Sequence, residues 1–534
     1  MAFKPVRKNT QNLPSFRYGM NTQQQSDEIS DFEMADCENI SIASDSVMSA
    51  PGYVSSDASS NEGAYWGIYS FIKSTGVLVN IRQRKGILEY ADNGGTTWVA
   101  CTLPTVGSPA ATVSLNQVQP TFATMNNICV FANGQVVMYS TDGHTWTNKT
   151  NLMVTGIPDI VFNGGKNRLI YAFKNSSEIW WSEINDPLNV LVASWQYIDP
   201  NAGNNLVGLG LTPTGSILVL KSNGVYEIDD VTSGMVGVNF VGKAECINHH
   251  TVCTTKQSVI WMGNSAIYEF IGGFIRNIAG KINWNGRNDC PLSSSYATAV
   301  YYNGKYRLSM PDADISQGYN SQEYVIDLNL PRDDMTQPYA ITRNRRYFGC
   351  YGVEDFTFNT GRTIKLYAGD SRTGTYGSPA TYYSNFCFIN DSRDTDLTQG
   401  LAGEVQDCWF ITKFFTNNIP FFIKKFKKAM SQFQITNDTK FTLGYRFTPN
   451  GIFTAVGSSF TTSDIDWIFD DNSSGHWDDG FGFVDNVSLL GTFTTRLENE
   501  EQPRGTQFKV SWSQVSDVTL LGLAYEYTSK NKFK

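Results

Sequence analysis

The feature that most constrains this chain is a two-strand unit that recurs along its length. In residues 128–146 an apolar run leads to Asn133 and Gly134, a second apolar run follows, and a polar turn at 140–143 precedes Trp146. An Asn-Gly pair between two β-rich runs indicates a hairpin, because its type I′ turn needs positive φ at both central residues. The sequence therefore predicts a β-hairpin with Asn133 and Gly134 at its tip.

The same unit returns at a nearly constant distance. Paired apolar runs flank turns centred near residues 85, 133, 175, 223, 263, 303 and 360. The spacing is roughly 40 to 48 residues apart from one longer step, and a period near 40 with one hairpin per unit is typical of β-propeller blades. The sequence predicts about seven blades, with six or eight left open because the number counts turns. Their predicted extents are 65–103, 120–152, 157–200, 205–241, 249–279, 294–341 and 345–383.

Composition and length set the rest of the predicted all-β architecture. Charged residues make up 17% of the chain and aromatic residues 13%, a mixture that favours short strands and tight turns over helices. At 534 residues the chain is too long for one compact core. Near its end Phe508, Val510 and Trp512 alternate with polar residues, and several such runs fit an antiparallel β-sandwich. The predicted division is 1–63 for an extended N-terminal arm, 64–385 for the β-propeller, 386–403 for a linker and 404–534 for the β-sandwich.

The first 63 residues leave two interpretations open. The segment is polar and rich in small residues, which is typical of a disordered tail. Apolar residues nevertheless recur through it: Phe16, Tyr18, Ile29, Phe32, Met34, Ile40 and Ile42. They favour an ordered arm that is anchored on another surface.

Residues 140–146 resemble the Asp-box of sialidase-type propellers, Ser-x-Asp-Gly-Gly-x-Thr-Trp, with one Gly missing. A looser copy stands at 91–98, with Ala for Ser and Asn for Asp. In such a turn we expect Asp142 to accept backbone N–H groups, Gly143 to take positive φ, and Trp146 to pack beneath. The box marks a fold and predicts no catalytic role.

The sequence holds little material for catalysis. It has four histidines, no Gly-x-Ser-x-Gly elbow, no phosphate-binding loop and no dinucleotide fingerprint. A sialidase-like site would need a carboxylate pair and three arginines, and the chain lacks the Arg-Ile-Pro segment that sialidases carry near the start. The candidates for such a site are Asp159, Glu178, Asp229, Arg168, Arg276 and Arg307. The three arginines lie in different repeats, and nothing in the sequence brings them together with the acids. Structural roles are therefore favoured, and we predict neither catalytic nor cofactor-binding residues.

One cluster could bind a metal ion. Cys246, His249, His250 and Cys253 include the ligand types of a tetrahedral zinc site. Adjacent histidines point to opposite faces of a strand, however, and the spacing matches no common zinc finger. The sequence favours ordinary strand or loop residues, with no metal. The nine scattered cysteines suit reduced thiols better than a disulfide framework.

Charge and hydropathy exclude several partners. The net charge of −9 argues against tight nucleic-acid binding, although weak contact with DNA passing through a pore stays compatible with it. Four lysines (Lys424, Lys425, Lys427 and Lys428) interleave with Phe422 and Phe426. We interpret them as protecting an exposed face or edge of a strand rather than as a nucleic-acid site. No run approaches the roughly 18 to 20 apolar residues of a membrane span, and the first residues do not read as a secretory signal.

Both ends of the chain carry motifs of a known family. Residues 16–21, Phe-Arg-Tyr-Gly-Met-Asn, then 29–31, Met34, Ala35 and Asn39, are similar to its opening Gly-Gly-(Leu/Met)-Asn and Ile-x-Asp-x-Glu-Ala-x-x-x-x-Asn pattern. Residues 505–511, followed by 520–523 and Tyr525, are similar to its closing Gly-x-x-Phe-x-Phe-x-Val hairpin. With the layout of arm, propeller and sandwich, the chain resembles the propeller-bearing tail-hub, nozzle or packaged-DNA-stabilisation proteins of tailed bacteriophages. Where that family often has Arg-x-Gly after the arm, this chain has residues 48–53, Met-Ser-Ala-Pro-Gly-Tyr.

The resemblance implies a virion structural protein without enzymatic activity. It implies assembly in the host cytoplasm into a ring, expected to be a homohexamer, around the DNA channel of the tail or neck. Portal- or adaptor-type proteins and tail fibres of the same virion would be its neighbours, and double-stranded DNA would touch it in passing. The alternatives are a glycan-binding or sialidase-like propeller and a receptor-binding tail protein.

Overall fold

The computed structural model describes most of the chain and shows an all-β protein. The described residues are 9–13, 15–43, 46–55, 63–106, 111–112, 115, 118–149, 151–153, 155–200, 205–228, 231, 236–264, 266–284, 296–311, 319–332, 334–358, 361–372, 375–376, 381–382, 386–390, 407–416, 423–435, 441–449, 451–456, 489–497, 505–513 and 518–530. Across these ranges the regular structure consists of β-strands and one 3-10 turn at His249–Thr251. The predicted all-β class is confirmed.

The first five strands lie in the N-terminal segment. They are β1 (Asn9–Leu13), β2 (Met34–Glu38), β3 (Ile40–Ile42), β4 (Val47–Ser49) and β5 (Gly52–Ser55). Each of them pairs with a strand from another part of the chain or with a neighbour that does.

Seven four-stranded antiparallel sheets follow in the described residues, numbered here in chain order. Sheet 1 comprises β6 (Tyr65–Ile72), β7 (Leu78–Arg84), β8 (Ile87–Asp92) and β9 (Val99–Ala100), and is followed by the hairpin β10 (Thr105–Val106) and β11 (Ala111–Thr112). Sheet 2 comprises β12 (Thr121–Met125), β13 (Ile128–Ala132), β14 (Val137–Ser140) and β15 (Thr147–Asn148). Sheet 3 comprises β16 (Ile160–Asn163), β17 (Leu169–Ala172), β18 (Glu178–Trp181) and β19 (Trp195–Tyr197). Sheet 4 comprises β20 (Leu206–Leu211), β21 (Ile217–Lys221), β22 (Val225–Ile228) and β23 (Val238–Gly242). Sheet 5 comprises β24 (Cys253–Thr254), β25 (Val259–Met262), β26 (Ile267–Ile271) and β27 (Phe274–Asn277). Sheet 6 comprises β28 (Thr298–Tyr302), β29 (Lys305–Pro311), β30 (Asn320–Pro331) and β31 (Tyr339–Arg345). Sheet 7 takes β32 (Phe348–Phe358), β33 (Gly361–Asp370) and, beyond the hairpin β34 (Thr375–Tyr376) and β35 (Thr381–Tyr382), β36 (Phe386–Asn390), with β5 as its fourth strand.

The first strands of these sheets form a closed ring of contacts. Strand β6 contacts β12, β12 contacts β16, and the series continues through β20, β24, β28 and β32. Strand β32 then packs against β6, so the last sheet returns to the first. A ring of four-stranded sheets whose first strands face a common axis is a β-propeller. The predicted propeller is confirmed.

Two of the predicted hairpin tips take the expected backbone. Lys85 and Gly86 have φ of 47° and 80°, and Asn303 and Gly304 have 49° and 75°, as a type I′ turn requires. The tip at Asn133 differs, because only Gly134 has positive φ there. Asn133 instead accepts the backbone N–H groups of the two residues after Gly134 through its side-chain oxygen, each at 3.0 Å. The predicted type I′ turn is therefore wrong at this position, although the hairpin forms.

Sheet 7 is completed by two strands that local periodicity did not reveal. Strand β36 lies in the segment predicted as a linker, and its Phe386, Cys387 and Ile389 are buried. Strand β5 from the N-terminal segment pairs antiparallel with β36, with Ser55 opposite Cys387. The rest of the predicted linker, 391–403, lies outside the described residues. An early part of the chain thus supplies the outer strand of the last sheet.

The remaining strands form two larger sheets. They are β37 (Asp407–Thr412), β38 (Ile423–Ile435), β39 (Phe441–Arg446), β40 (Thr454–Val456), β41 (Leu489–Arg496), β42 (Gln507–Ser513) and β43 (Val518–Lys530). A five-stranded sheet has the order β2-β37-β42-β39-β40, and a six-stranded sheet has the order β3-β4-β43-β38-β41 with β1 also on β43. Strands β1 to β4 of the N-terminal segment therefore belong to these sheets.

The two larger sheets touch through buried aromatic residues. The rings of Phe508 and Tyr525 lie 5.5 Å apart, and Trp512 Nε1 donates a 2.9 Å hydrogen bond to the Ser49 hydroxyl. One continuous apolar core runs from these residues to Met20 of the arm and to Tyr306 of sheet 6. Propeller, arm and C-terminal sheets thus share buried surface.

The lysine-rich segment lies in β38. From Lys428 onward β38 is a central strand between β43 and β41. Its first residues, Ile423 to Phe426, pair with β43 alone in the described part of the sheet. The edge-strand interpretation therefore applies only to the beginning of the segment.

Candidate functional site

The acids and arginines considered for a sialidase-like site do not converge. Asp159 accepts the backbone N–H of Lys174 at 2.9 Å, and Glu178 accepts the indole N–H of Trp180 at 3.1 Å. These contacts hold local turns and strands of sheet 3 together. Asp229 lies outside the described residues.

The three arginines serve separate sheets. Arg168 donates to the Ser182 carbonyl within sheet 3. Arg276 of sheet 5 binds Glu269 at 2.7 Å, and Arg307 of sheet 6 lies 3.5 Å from the buried Glu323. Each arginine has its own structural partner, so these residues form no common substrate site.

The histidines of the Cys-His cluster have separate hydrogen-bond partners. The His249 Nδ1 accepts the Leu209 N–H at 3.2 Å, while His250 Nε2 donates to the Gln119 carbonyl at 3.2 Å. Burial lowers the pKa of His249 to about 3 and raises the pKa of both Cys246 and Cys253 to about 12. Among the described residues no group of three or more His, Cys, Asp or Glu is placed to hold a metal ion.

The Asp-box at 140–146 has the local structure that its sequence predicts. Asp142 Oδ1 accepts the N–H groups of His144 and Thr145, each at 2.8 Å. Burial would raise the pKa of Asp142, but these N–H donors hold it below its usual value. Gly143 has φ of 78°, and Trp146 is buried. The His144 ring reaches the looser copy in sheet 1, where its Nε2 lies 2.9 Å from Asp92, so the box joins two sheets.

A cluster of charged side chains around a buried carboxylate lies where the N-terminal arm crosses sheets 5 and 6. We call it the arm clasp; it consists of Asn21, Glu33, Lys281, Arg332 and Asp334. Glu33 is fully buried, and its Oε1 contacts Lys281 at 2.7 Å and Arg332 at 2.5 Å. Its Oε2 accepts from Asn21 at 2.8 Å. Lys281 also binds Asp334 at 2.7 Å. Paired and hydrogen-bonded charges of this kind can be buried because each compensates another.

The protonation of the clasp follows from these contacts. Burial alone would raise the pKa of Glu33, but Lys281, Asn21, the Ser30 N–H and Arg332 together hold it below its usual value. Arg332 also donates to the Tyr18 carbonyl at 2.8 Å and lies over the Tyr18 ring. The clasp therefore ties the arm to the body of the molecule through an ionised carboxylate.

The residues of the opening motif hold the arm in place. Gly19 has φ of 73°, and a Cβ atom there would lie 2.5 Å from the Ile341 carbonyl oxygen. Asn39, also at positive φ, receives the Arg345 N–H on its side chain and donates its own N–H to the Arg343 carbonyl, both at 2.9 Å. In the closing motif a Cβ at Gly505 would lie 2.4 Å from the Phe414 ring. These positions are used for close backbone approach and docking.

Polar side chains bridge the propeller axis at the end where the first strands begin. We call them the axial cluster: Gln119, Asn248, His250 and Asn320. The Gln119 amide, just before sheet 2, donates to the carbonyls of Tyr296 and Gly349 at 3.0 and 3.1 Å and accepts from Asn248 at 3.0 Å. The Tyr296 carbonyl also accepts from Asn320 at 2.9 Å. Because Gln119 reaches residues of sheets 5, 6 and 7, the axis is spanned at this end.

A cavity of about 500 Å³ opens at the other end of the ring, between sheets 5, 6 and 7. It is bordered by the first turns of these sheets, with Gln257 on sheet 5, Asn303 on sheet 6 and Arg362 on sheet 7. Glu269 and Tyr339 also contribute to its lining. Sequence analysis did not find the cavity or the arm clasp, because their members are far apart in the chain and carry no shared motif.

The fold and these sites define a β-propeller protein with an N-terminal segment built into its C-terminal sheets. No family model matches the chain, and no curated protein matches it. In the described ranges, the structure holds no helix with the length and hydropathy that a membrane crossing needs.

Solved structures with a similar trace include three proteins. The chain is similar to a streptogramin B lyase, with 9% identity, a TM-score of 0.39, and coverage of 62% of this chain and 94% of the other. It is similar to YCF48 from Cyanidioschyzon merolae, with 12% identity, a TM-score of 0.38, and coverage of 64% and 99%. It is also similar to the β-propeller domain of Cps50 from Myceliophteria thermophila, with 10% identity, a TM-score of 0.38, and coverage of 62% and 98%. The assignment of the propeller rests on the sheet order and the ring of contacts.

Proposed function

We propose that this protein is a non-enzymatic structural component of a tailed-bacteriophage virion. Several copies, expected to be six, form a tail-hub, nozzle or neck ring around the DNA channel, retain packaged DNA and pass it during ejection. Assembly takes place in the host cytoplasm, between portal- or adaptor-type proteins and tail fibres. The ranges 1–63, 64–385, 386–403 and 404–534 are its proposed arm, propeller, linker and sandwich.

The proposed architecture has a seven-bladed propeller and a two-layer sandwich. Each four-stranded sheet is one blade, because seven first strands complete the ring of contacts. The five- and six-stranded sheets are the two layers, since Phe508 of one contacts Tyr525 of the other. Strands β1 to β4 widen both layers and β5 closes the last blade.

One observation carries the functional proposal. Residues that resemble the opening and closing motifs of the phage family have docking roles. Gly19 and Asn39 fix the N-terminal arm on β31 of sheet 6, and Gly505 packs against Phe414 within the C-terminal part of the chain. Motif residues that serve docking and packing are expected in a protein whose task is assembly. These residues serve backbone approach and packing, which suits a non-enzymatic role.

The axial cluster supports a particular position of the propellers in the assembled ring. Gln119 spans the propeller axis with hydrogen bonds to sheets 5, 6 and 7. DNA would therefore pass between subunits, along a wall of the assembled ring, and the propellers would lie outside. A net charge of −9 keeps that wall from gripping DNA.

Electron microscopy and mass photometry of the purified full-length chain test this proposal. We expect rings of about six copies, with a central hole between subunits and the propellers at the periphery. Labelled protein added to particles that lack it should occupy the tail or neck. A chain that stays monomeric at every concentration and never joins particles would contradict the proposal.

A further inference from the structure

We propose that the cavity between sheets 5, 6 and 7 binds a short, neutral oligosaccharide. This inference goes beyond the ring function and does not depend on it. The cavity lies among the turns that join the first and second strands, at the end of the propeller away from the axial cluster. Its volume of about 500 Å³ falls within the roughly 300–1,000 Å³ of known small-molecule sites.

The buried carboxylate of Glu269 provides the strongest polar anchor. Glu269 is 1% exposed and lines the cavity. Its Oε2 accepts the Arg276 Nε at 2.8 Å, and its Oε1 accepts the Tyr339 hydroxyl at 3.2 Å. A carboxylate offers about four acceptor positions, so Glu269 retains capacity for a ligand hydroxyl. Arg276 neutralises its charge, and this pairing favours a neutral ligand over a cation.

Aromatic and amide side chains complete the chemistry of a sugar site. Tyr301 and Tyr339 line the cavity together with Asn303 and Asn329. A sugar ring places its C–H face on an aromatic ring and its hydroxyl groups against amides, which donate and accept, and carboxylates, which accept. The walls thus combine the two kinds of contact that a carbohydrate needs.

The lining also disfavours a peptide anchor. An apolar side chain of a peptide binds best in a dry, apolar pocket, whereas this cavity includes Thr255, Gln257 and Ser258 along one wall. Ile364, at the border of the cavity, is 45% exposed. The cavity is thus open to solvent beside Ile364.

Isothermal titration calorimetry of the full-length protein with maltotriose, chitotriose and 3′-sialyllactose tests the proposal. We expect at least one neutral trisaccharide to bind with a Kd below about 1 mM. Gln257→Trp introduces an indole at an exposed turn position that lines the cavity. It should abolish binding without a change in the thermal midpoint.

The matched control is Thr75→Trp. Thr75 is exposed on the corresponding turn of sheet 1 and is not part of the cavity lining, so this variant should bind as the unchanged protein does. Absence of binding by all three trisaccharides would overturn the proposal. Binding that survives Gln257→Trp, or that Thr75→Trp also removes, would overturn it as well. A ring that assembles while no sugar binds would contradict this inference alone.

Discussion

At the scale of single residues, the arm clasp places a fully buried carboxylate between two cationic side chains. Glu33 is fully buried and is shared by Lys281 and Arg332. Removing one member of a buried ion pair leaves its partners without compensation, and this costs far more than the loss of an exposed pair. The docking of the arm therefore depends on Glu33 Oε1, which contacts both cationic side chains.

We predict that Glu33→Gln lowers the free energy of unfolding by about 3 kcal/mol, because Lys281 and Arg332 lose the charge that compensates them. The measurement is urea unfolding followed by tryptophan fluorescence. The control is Asp355→Asn, which breaks an exposed pair with Arg362 and should leave the midpoint unchanged. Equal midpoints for all three proteins would contradict a stabilising role of the clasp.

The same residue predicts a dependence on pH. The pKa of Glu33 in the folded protein lies below the ordinary value of 4.5. Its contribution is therefore complete above about pH 4.5 and is lost as the pH falls through the folded pKa. The difference in stability between the unchanged protein and Glu33→Gln should be constant from pH 7 to pH 5 and then shrink. A difference in stability that grows below pH 4.5 would mean that folding raises the pKa of Glu33, and would contradict this prediction.

Single residues were predictable from sequence where their partners are close in the chain. Asp142 accepts N–H groups two and three residues away, so the Asp-box pattern contains the whole interaction. Asn133 shows the limit, because the same side chain can favour positive φ or accept neighbouring N–H groups, and here it does the latter. Lys281 lies 248 residues from Glu33, and no local pattern relates the two.

At the scale of elements, the arm docks by close backbone approach. Gly19 forms a parallel bridge with Ile341 of β31, and the Ile341 backbone leaves no room for a side chain there. Because the bridge lies between β1 and β2, it fixes the direction in which the arm crosses sheet 6. The position of one glycine thus sets the course of a whole segment.

We predict that Gly19→Ala loosens the arm. The alanine would have to adopt an unfavourable positive φ, and its Cβ atom would clash with the Ile341 carbonyl oxygen. Limited proteolysis should cut the variant within the arm at least about tenfold faster than the unchanged protein. Gly76→Ala is the matched control, since Gly76 has φ of 78° with open space around its Cβ position. Its left-handed backbone costs about 1 kcal/mol without a clash. Equal cleavage of both variants would mean that steric contact with Ile341 does not matter.

Elements were predictable where a strand pairs with its neighbour in the chain. Short turns join β13 to β14 and β28 to β29, and the residues of these turns predict the hairpins. Strand β5 has no such signal, because its partner β36 lies more than 300 residues further on. The apolar Phe386, Cys387 and Ile389 of β36 were visible in the sequence, but the polar residues after them directed the prediction toward a linker.

At the scale of the whole molecule, the N-terminal segment holds the other parts together. Strands β1 and β4 pair with β43, β2 pairs with β37, and β5 pairs with β36. Each of these three C-terminal strands therefore has one of its edges covered by the first 55 residues. The repeat predicted the propeller, since each sheet is local, whereas closure by a distant segment could not be read from a period.

We predict that removal of residues 1–55 yields protein that aggregates, because β36, β37 and β43 then expose unpaired edges and apolar surface. Size-exclusion chromatography should place the truncated chain in the void volume. Removal of residues 1–8 alone, which precede β1, should leave the elution volume unchanged. A monodisperse truncated chain with the thermal midpoint of the full protein would contradict this prediction.

The pairing of Asn9 with Tyr527 has a consequence for synthesis on the ribosome. At roughly 5–20 residues per second, the nascent N-terminus waits about 25 to 100 s before its partner strand is translated. During that interval β1 lacks its partner strand, although the arm can already dock on β31 through Gly19. The pairing of β1 with β43 can therefore form only after nearly all the other described strands have been translated.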